Sequence, residues 1–448
     1  MSRSQNLNRR LFLKTAVAST FAAPAFIRNL RAASPIETVR HASFGASGMA
    51  GADLGQIVGH PKVKLVCVAE VDLSRAEGLK KKFPDVRVYQ DWRKLLDEES
   101  KNLDSVNVST PDHMHASIGM SAMQRGLHLY GQKPLTHDVY DSRQLARFAA
   151  EKKLVTQMGI QIHSDVTYRS AVMLIQGGAI GKVQSVHSWS GKQWGDTTPL
   201  PQKVDPVPDG FDWDLWLGVC ESRPFIGGGY YHPGNWRKRL DFGTGTFGDM
   251  GCHIFDPVFK ALELTAPLTL RSTGPTPNAT NWANDAIVHL TFPQTAHTVG
   301  PVVPITWYDG IQRPPKDVTT PILGDRALPD QGSLFIGEKG SMLLPHVGHP
   351  ELLPEKQFVD YPKPKLDPIN HWHQFIEAVR GNGTTNAHFG YSGPLTESVL
   401  LGGVATFFPN ETLEWDMANL KFKNKPQADR LIRRTHRKGW EVAGLSNV

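Results

Sequence analysis

Apolar and polar positions along this chain follow two rhythms, with the change near residue 158. Before that point, short valine-rich runs alternate with segments of helical spacing. Val39–Phe44 reads as a strand, 52–59 as a helix, and 63–71 as a second strand whose unbroken apolar run suits burial on both faces. Residues 74–83 read as a surface helix with Lys80, Lys81 and Lys82 on its wet side. A strand at 104–109, a helix at 116–125 and a short strand at 127–130 follow. Serial strand–helix–strand units need crossover connections, which predict a parallel sheet with helices on both faces.

After residue 158, the segments 183–189, 286–292 and 332–336 read as strands of an open sheet, and helical patterns return at 370–380 and 394–407. Between the first two strands lies an irregular stretch, 191–248, rich in Gly, Pro and Trp. A loop that long inside a compact domain is usually functional. The expected fold class is α/β. A Rossmann domain, a doubly wound parallel sheet, covers 37–158, and an α+β domain with an open, mostly antiparallel sheet covers 159–448.

Residues 1–33 belong to neither rhythm. Asn8-Arg9-Arg10-Leu11-Phe12-Leu13-Lys14 matches the twin-arginine export pattern, and Ala32-Ala33 offers a cleavage point. The apolar stretch between them, Thr15 to Ile27, is interrupted by Pro24 and is too short to span a bilayer. The mature protein is therefore expected in the periplasm, without a membrane span. Arg3, Arg9, Arg10, Lys14, Arg28 and Arg31 in this segment account for the formal net charge of +6. A neutral remainder offers no electrostatic footing for nucleic acid. Three cysteines, Cys67, Cys220 and Cys252, cannot form a disulfide framework, and Cys67 sits in an apolar run that reads as core.

Chemistry begins at Gly45-Ala46-Ser47-Gly48-Met49-Ala50-Gly51, between the first strand and the first helix. A tight glycine turn there aims backbone N–H groups and a helix dipole at a pyrophosphate. With Gly45 as the first position of the dinucleotide fingerprint, the second falls on Ser47 and the third on Ala50, where Ala is accepted. Ser47 adds a Cβ where backbone should approach phosphate, but its hydroxyl can donate to that phosphate. Alone, the loop is equally a plain turn. Asp72, read as ending the second strand, adds a carboxylate for the ribose hydroxyls of adenosine. It would repel a 2′-phosphate, so NAD is expected over NADP.

Three further motifs are Thr110-Pro111 with His115, Gly131-Gln132-Lys133-Pro134, and Gly243-Thr-Gly-Thr-Phe-Gly-Asp249-Met-Gly-Cys-His253-Ile-Phe-Asp256. With them, the chain from about residue 37 onward resembles the Gfo/Idh/MocA oxidoreductases. The Lys-Pro motif and the Asp-x3-His pair are the most specific parts of the resemblance. It implies cofactor contacts from Gly45, Ser47, Gly48, Met49, Ala50, Asp72, Thr110, Pro111, His115, Gln132 and Lys133. It also implies that Lys133 touches the nicotinamide ribose and the reacting hydroxyl, that His253 accepts and donates the proton, and that Asp249 is its neighbour. Gln132 departs from the Glu usual before that Lys, although a neutral amide can still bond ribose.

The chemistry is coherent without the resemblance. Oxidising a secondary alcohol needs a base for the hydroxyl proton, and a lysine cation lowers the cost of a developing alkoxide. On a helix, Asp249, His253 and Asp256 share a face. Pro257 opposes the carbonyl of His253, so a kink or a helix restart is expected there. Other readings stay open. His253 could cap or pack, and the pairs Asp112/His115 and His371/His373 and the set Asp249/His253/Asp256 have usable metal spacings. Nothing in the spacing makes these converge, and no metal is expected.

Trp189, Trp194, Trp213, Trp216 and Trp236 crowd the irregular stretch and its edge. Aromatic faces with neighbouring donors suit a sugar ring. Trp213 and Trp216 read as pins that fix the loop to the core, which leaves Trp236 and Arg237 as the candidate substrate contacts. The basic run 430–438 reads as a solvated helix or an interface edge. The expected protein is an exported, homo-oligomeric, NAD(H)-dependent oxidoreductase with tightly bound cofactor, acting on a hydroxyl of a sugar, polyol or glycoside. Two alternatives are a redox-neutral glycoside lyase, hydratase or hydrolase that uses NAD catalytically, and a non-catalytic carbohydrate-binding protein.

Overall fold

The computed structural model describes residues 36–446, so the twin-arginine segment at 1–33 lies outside the described residues. The first layer is a parallel sheet of β1 (Val39–Phe44), β2 (Val63–Ala69), β3 (Arg87–Tyr89), β4 (Ser105–Val108), β5 (His128–Gly131) and β6 (Thr156–Met158). Its order is β3-β2-β1-β4-β5-β6. Between β1 and β4 the winding reverses, so the loops leaving these two strands diverge and open a crevice at their carboxyl ends.

Every residue of β4 and all of β1 except Arg40 is buried, as helices on both faces demand. His41 survives inside β1 because its ring nitrogens meet Ser105 Oγ at 2.8 Å and Asn107 Oδ1 at 3.0 Å on β4. Burial pushes its pKa down to about 4, so this ring is neutral.

The second layer is a nine-stranded sheet of β7 (Val183–Ser190), β8 (Thr269–Ser272), β9 (Ile287–Pro293), β10 (Val302–Asp309), β11 (Gln331–Gly337), β12 (Ser341–Pro345), β13 (Glu351–Leu353), β14 (Thr412–Asp416) and β15 (Lys421–Phe422). Its order is β13-β12-β11-β7-β10-β9-β8-β14-β15, with β7 and β10 parallel and the other pairs antiparallel. Along β9, Val288, Leu290 and Phe292 are buried while His289 points outward, the period-2 signature of a sheet with one covered face. The helix Gly245–Ala261 lies against the covered side, where Phe247 stacks on Trp307 with centroids 4.6 Å apart. This helix runs through Pro257 without the restart that was one of the two expected outcomes. Packing on nearly every side of it offsets the hydrogen bond that proline removes.

The later chain returns to the first sheet. Helix His371–Val379, capped by the Asn370 side chain on the His373 N–H, sets Glu377 2.8 Å from His60. Helix Phe389–Ala405 packs on Val139–Lys152, with Glu397 and Arg143 2.6 Å apart.

The basic run 430–438 corrects its expectation, because it is a strap rather than a solvated helix. Arg434 Nε donates to Asp138 at 2.6 Å and Nη1 to the Asp241 carbonyl at 3.0 Å. Arg433 binds the Leu445 carbonyl, and Arg437 pairs with Asp214. Among the described residues no helix is long and apolar enough to cross a membrane.

Burial would push the Asp138 carboxyl up, but the Arg434 charge and its hydrogen bond outweigh it and hold Asp138 well below the usual carboxylate range. Removing Arg434 strands that charge. Arg434→Ala should destabilise the fold by about 3–5 kcal/mol, read as a lower urea midpoint at neutral pH. A depressed folded-state value contributes stability that is complete above the unfolded value of about 3.9 and drains as pH falls. The penalty should therefore shrink in acid.

Candidate functional site

The crevice beyond β1 and β4 is a cavity of about 390 Å³. Gly45, Ser47, Gly48 and Met49 line one end, Thr110, Pro111, His115 and Gln132 its flank, and Lys133, Trp236 and Arg237 the other end. Gly45 has φ of +102°, and a Cβ there would stand 2.7 Å from Ala50 and 3.0 Å from the Ser109 carbonyl, so only glycine makes this turn. Ala50 thus lies beneath the loop and is not on the cavity wall. Helix Met49–Ile57 starts directly after the turn and presents its N-terminus to the cavity. The Ser47 hydroxyl is buried and without a partner among the described residues. A dinucleotide phosphate fits this loop, because it would take up that orphan hydroxyl.

The expectation for Asp72 is corrected by where β2 ends. Pairing with β1 and β3 stops at Ala69, so the first carboxylate beyond the strand is Glu70, which lines the cavity. Glu70 accepts the Ala46 N–H at 3.0 Å and is pushed above its ordinary value by burial. Asp72 is absent from the wall. It accepts from Ser74 Oγ at 2.6 Å, meets His232 at 3.1 Å and forms a bridge with Phe211. Reading the valine run through to Val71 hid the strand end. A carboxylate directly after the last apolar core residue was the signal that could have found Glu70.

At the other end, Lys133 Nζ donates to Asp249 Oδ1 at 2.7 Å and to the Asp249 carbonyl at 2.8 Å. Arg237 Nε reaches the same carboxylate oxygen at 3.2 Å. The Arg237 guanidinium sits 4.3 Å from the Trp236 ring and 5.4 Å from Trp194, so two aromatic faces hold it. Burial pushes the Asp249 carboxyl up, but the Lys133 and Arg237 charges and the bond from Lys133 outweigh it, leaving the group well below the usual range. Asp249 is an anion with two cations on it.

His253, one helical turn on, has a buried Nδ1 without a partner among the described residues. Burial first, then the Lys133 charge, pushes it well below 6.5, so the ring is neutral. His253 is not among the residues that line the cavity.

His115 joins the two loops of the flank, its ring nitrogens 2.8 Å from the Pro134 and Thr110 carbonyls. Asp256 does not join Asp249 and His253. It pairs with His163 at 2.8 Å and accepts from Tyr391 at 2.6 Å. Asp112 accepts from Thr244, and His371 meets Ser164 and the Met158 carbonyl. Among the described residues no three or more His, Cys, Asp or Glu side chains are placed to hold a metal ion. Trp213 and Trp216 are buried and stacked at 4.8 Å, pinning the long loop to the core.

Comparison with known proteins agrees with this architecture. Residues 39–160 match the family model described as oxidoreductase family, NAD-binding Rossmann fold, and 176–285 match its C-terminal alpha/beta domain. The chain belongs to the Gfo/Idh/MocA oxidoreductase family. Inositol 2-dehydrogenase 4 of Saccharopolyspora erythraea is 30% identical over 34% of this chain and 46% of its own length. A 2,7-anhydro-N-acetylneuraminate hydratase of Mediterraneibacter gnavus is 28% identical over 34% of this chain and 40% of its own. The chain thus spans less than half the length of these curated relatives. The WlbA dehydrogenase from Bordetella pertussis, solved with NADH and UDP-GlcNAcA, shares the fold at a TM-score of 0.60. It is 15% identical, covering 85% of this chain and 99% of that one.

The position of Glu70 predicts its weight in cofactor binding. Glu70→Gln should weaken NADH binding by about tenfold or more, since a charge-assisted hydrogen bond is worth about 1.5–3 kcal/mol. Asp72→Asn should change it by less than about twofold on the same scale. Fluorescence titration of bound NADH reads both.

Proposed function

We propose that this protein is an exported, NAD(H)-dependent oxidoreductase that acts on a hydroxyl of a sugar, polyol or glycoside and keeps its cofactor bound. The observation that carries this reading is the junction at the deep end of the cavity. Lys133, locked to Asp249, stands where the cavity ends, and an unpartnered neutral imidazole lies one turn further along the same helix.

Bound NAD supplies a hydride acceptor. The chain's own residues do the rest. His253 takes the hydroxyl proton, Lys133 stabilises the alkoxide as it forms, and Asp249 fixes the lysine. Trp236 and Arg237, both on the cavity wall, are the side chains placed to meet a sugar ring and its hydroxyls. The names of the family relatives, a dehydrogenase of an inositol and a dehydrogenase solved with a nucleotide sugar, support a polyhydroxylated substrate.

Export rests on the twin-arginine pattern at residues 8–14. A periplasm without a pool of free dinucleotide favours a cofactor that travels with the protein and is recycled in place. The hydratase among the relatives favours a second reading, in which transient oxidation acidifies a neighbouring proton and the cofactor is restored with no net redox change.

His253→Ala should lower turnover by about 10²–10⁴, as loss of a general base usually does, while NAD stays bound. Because the His253 value is depressed, the ring holds no proton through the neutral range. Wild-type oxidation should therefore be flat above pH 6.5 and fall only in acid, and that limb should vanish in His253→Ala. Full activity in His253→Ala with an unaltered profile would refute the assignment. Purified mature protein should also release NAD(H) on denaturation, seen by absorbance and mass spectrometry. Empty protein would sink the retention claim.

A further inference from the structure

Asp53 is a fully buried carboxylate with no cationic partner among the described residues. It lies on Met49–Ile57, the helix that begins at the glycine turn. Four donors surround it. Gln132 Nε2 and Ser109 Oγ reach Oδ2, both at 2.8 Å, and Trp372 Nε1 reaches Oδ1 at 2.9 Å. The Tyr130 hydroxyl lies 3.5 Å from Oδ1.

The donor sense of this set is fixed. An indole or amide N–H can only donate. Ser109 Oγ already accepts from Asn107 Nδ2 at 2.9 Å, which leaves its own hydrogen for Asp53. The Gln132 Oε1 accepts the Lys133 N–H at 3.2 Å, so the amide has one orientation. Burial pushes the Asp53 carboxyl up and the four donors oppose it. A carboxylate at residue 132 would meet a second carboxylate at hydrogen-bond distance, where two like charges cannot both stand.

We propose that Asp53 is a positioning residue for Lys133. Through Gln132 it holds the backbone from which the lysine reaches Asp249, and through Ser109 it holds the neighbouring Thr110-Pro111 loop in register. This explains why an amide precedes the lysine in this chain, since the negative charge stands at residue 53 instead. The inference rests on Lys133 serving the cofactor site.

The test is a double-mutant cycle of Gln132→Glu, Asp53→Asn and both together, read by NADH fluorescence titration and by thermal midpoint. Gln132→Glu sets two carboxylates face to face and should weaken NADH binding by about tenfold or more. The combined variant exchanges amide and carboxylate in place. It should return to within about threefold of wild type and recover the thermal midpoint, even where Gln132→Glu alone fails to fold. A combined variant that binds no better than the weaker single variant overturns the proposal. So does a thermal midpoint that recovers while NADH affinity stays lost, because Asp53 would then serve the fold alone. Wild type that binds no NADH overturns the cofactor reading and this one with it. Binding by wild type without recovery in the combined variant overturns this one only.

Discussion

The ion pair of Lys133 and Asp249 joins the end of a strand in the parallel sheet to a helix of the open sheet, in a place largely closed to water. Both charges lose hydration there, which the pair tolerates only because each is bonded more than once. Lys133 also holds the Asp249 carbonyl, and Asp249 also receives Arg237. The pair in turn depends on what fixes its two ends. Behind the lysine stand Gln132 and Asp53. At the start of the helix, His137 Nε2 meets the Leu240 and Gly243 carbonyls at 2.9 and 3.1 Å, while Arg434 donates to the other ring nitrogen at 2.5 Å. That donation fixes the tautomer of His137, and with it the bond between the lysine loop and the helix.

The same pair divides the electrostatics of the site. Asp249 is held ionised by two cations, whereas the lysine charge helps to keep His253 neutral. One cation therefore acts on two groups set on successive turns of one helix. Burial alone would push the Asp249 carboxyl up and the two cations more than reverse that, while burial and the Lys133 charge both press His253 toward the neutral form.

The parallel sheet was legible because strands covered on both faces are continuous apolar runs, and β1 and β4 are of that kind. The Lys-Pro and Asp-x3-His motifs stood out by their fixed spacing, and the fold brings Lys133 and Asp249 into contact across 116 positions of chain. Glu70 was passed over because the apolar run reads on to Val71, although a carboxylate interrupting that run directly after Ala69 marked the strand end. Asp53 belongs to no motif of the sequence, and only its four donors, drawn from distant segments, reveal a buried carboxylate. The arginines at 430–438 misled for the opposite reason. A run of like charges normally faces water, but Asp138, Asp214 and several carbonyls wait for these.

The strap has a consequence for the order in which this molecule can be built. Arg434 reaches the loop that follows Lys133, Gln124 holds the Ala443 carbonyl at 2.8 Å, and the Arg93 guanidinium lies 4.1 Å from the Trp440 ring. A chain emerging from its N-terminus makes the glycine turn and the lysine loop early, yet the groups that hold them arrive hundreds of residues later. Trp372 and Arg434 act as late closures on an early domain. A chain that stops short of Arg434 therefore has the parts of the dinucleotide site but lacks the strap that ties down the loop after Lys133.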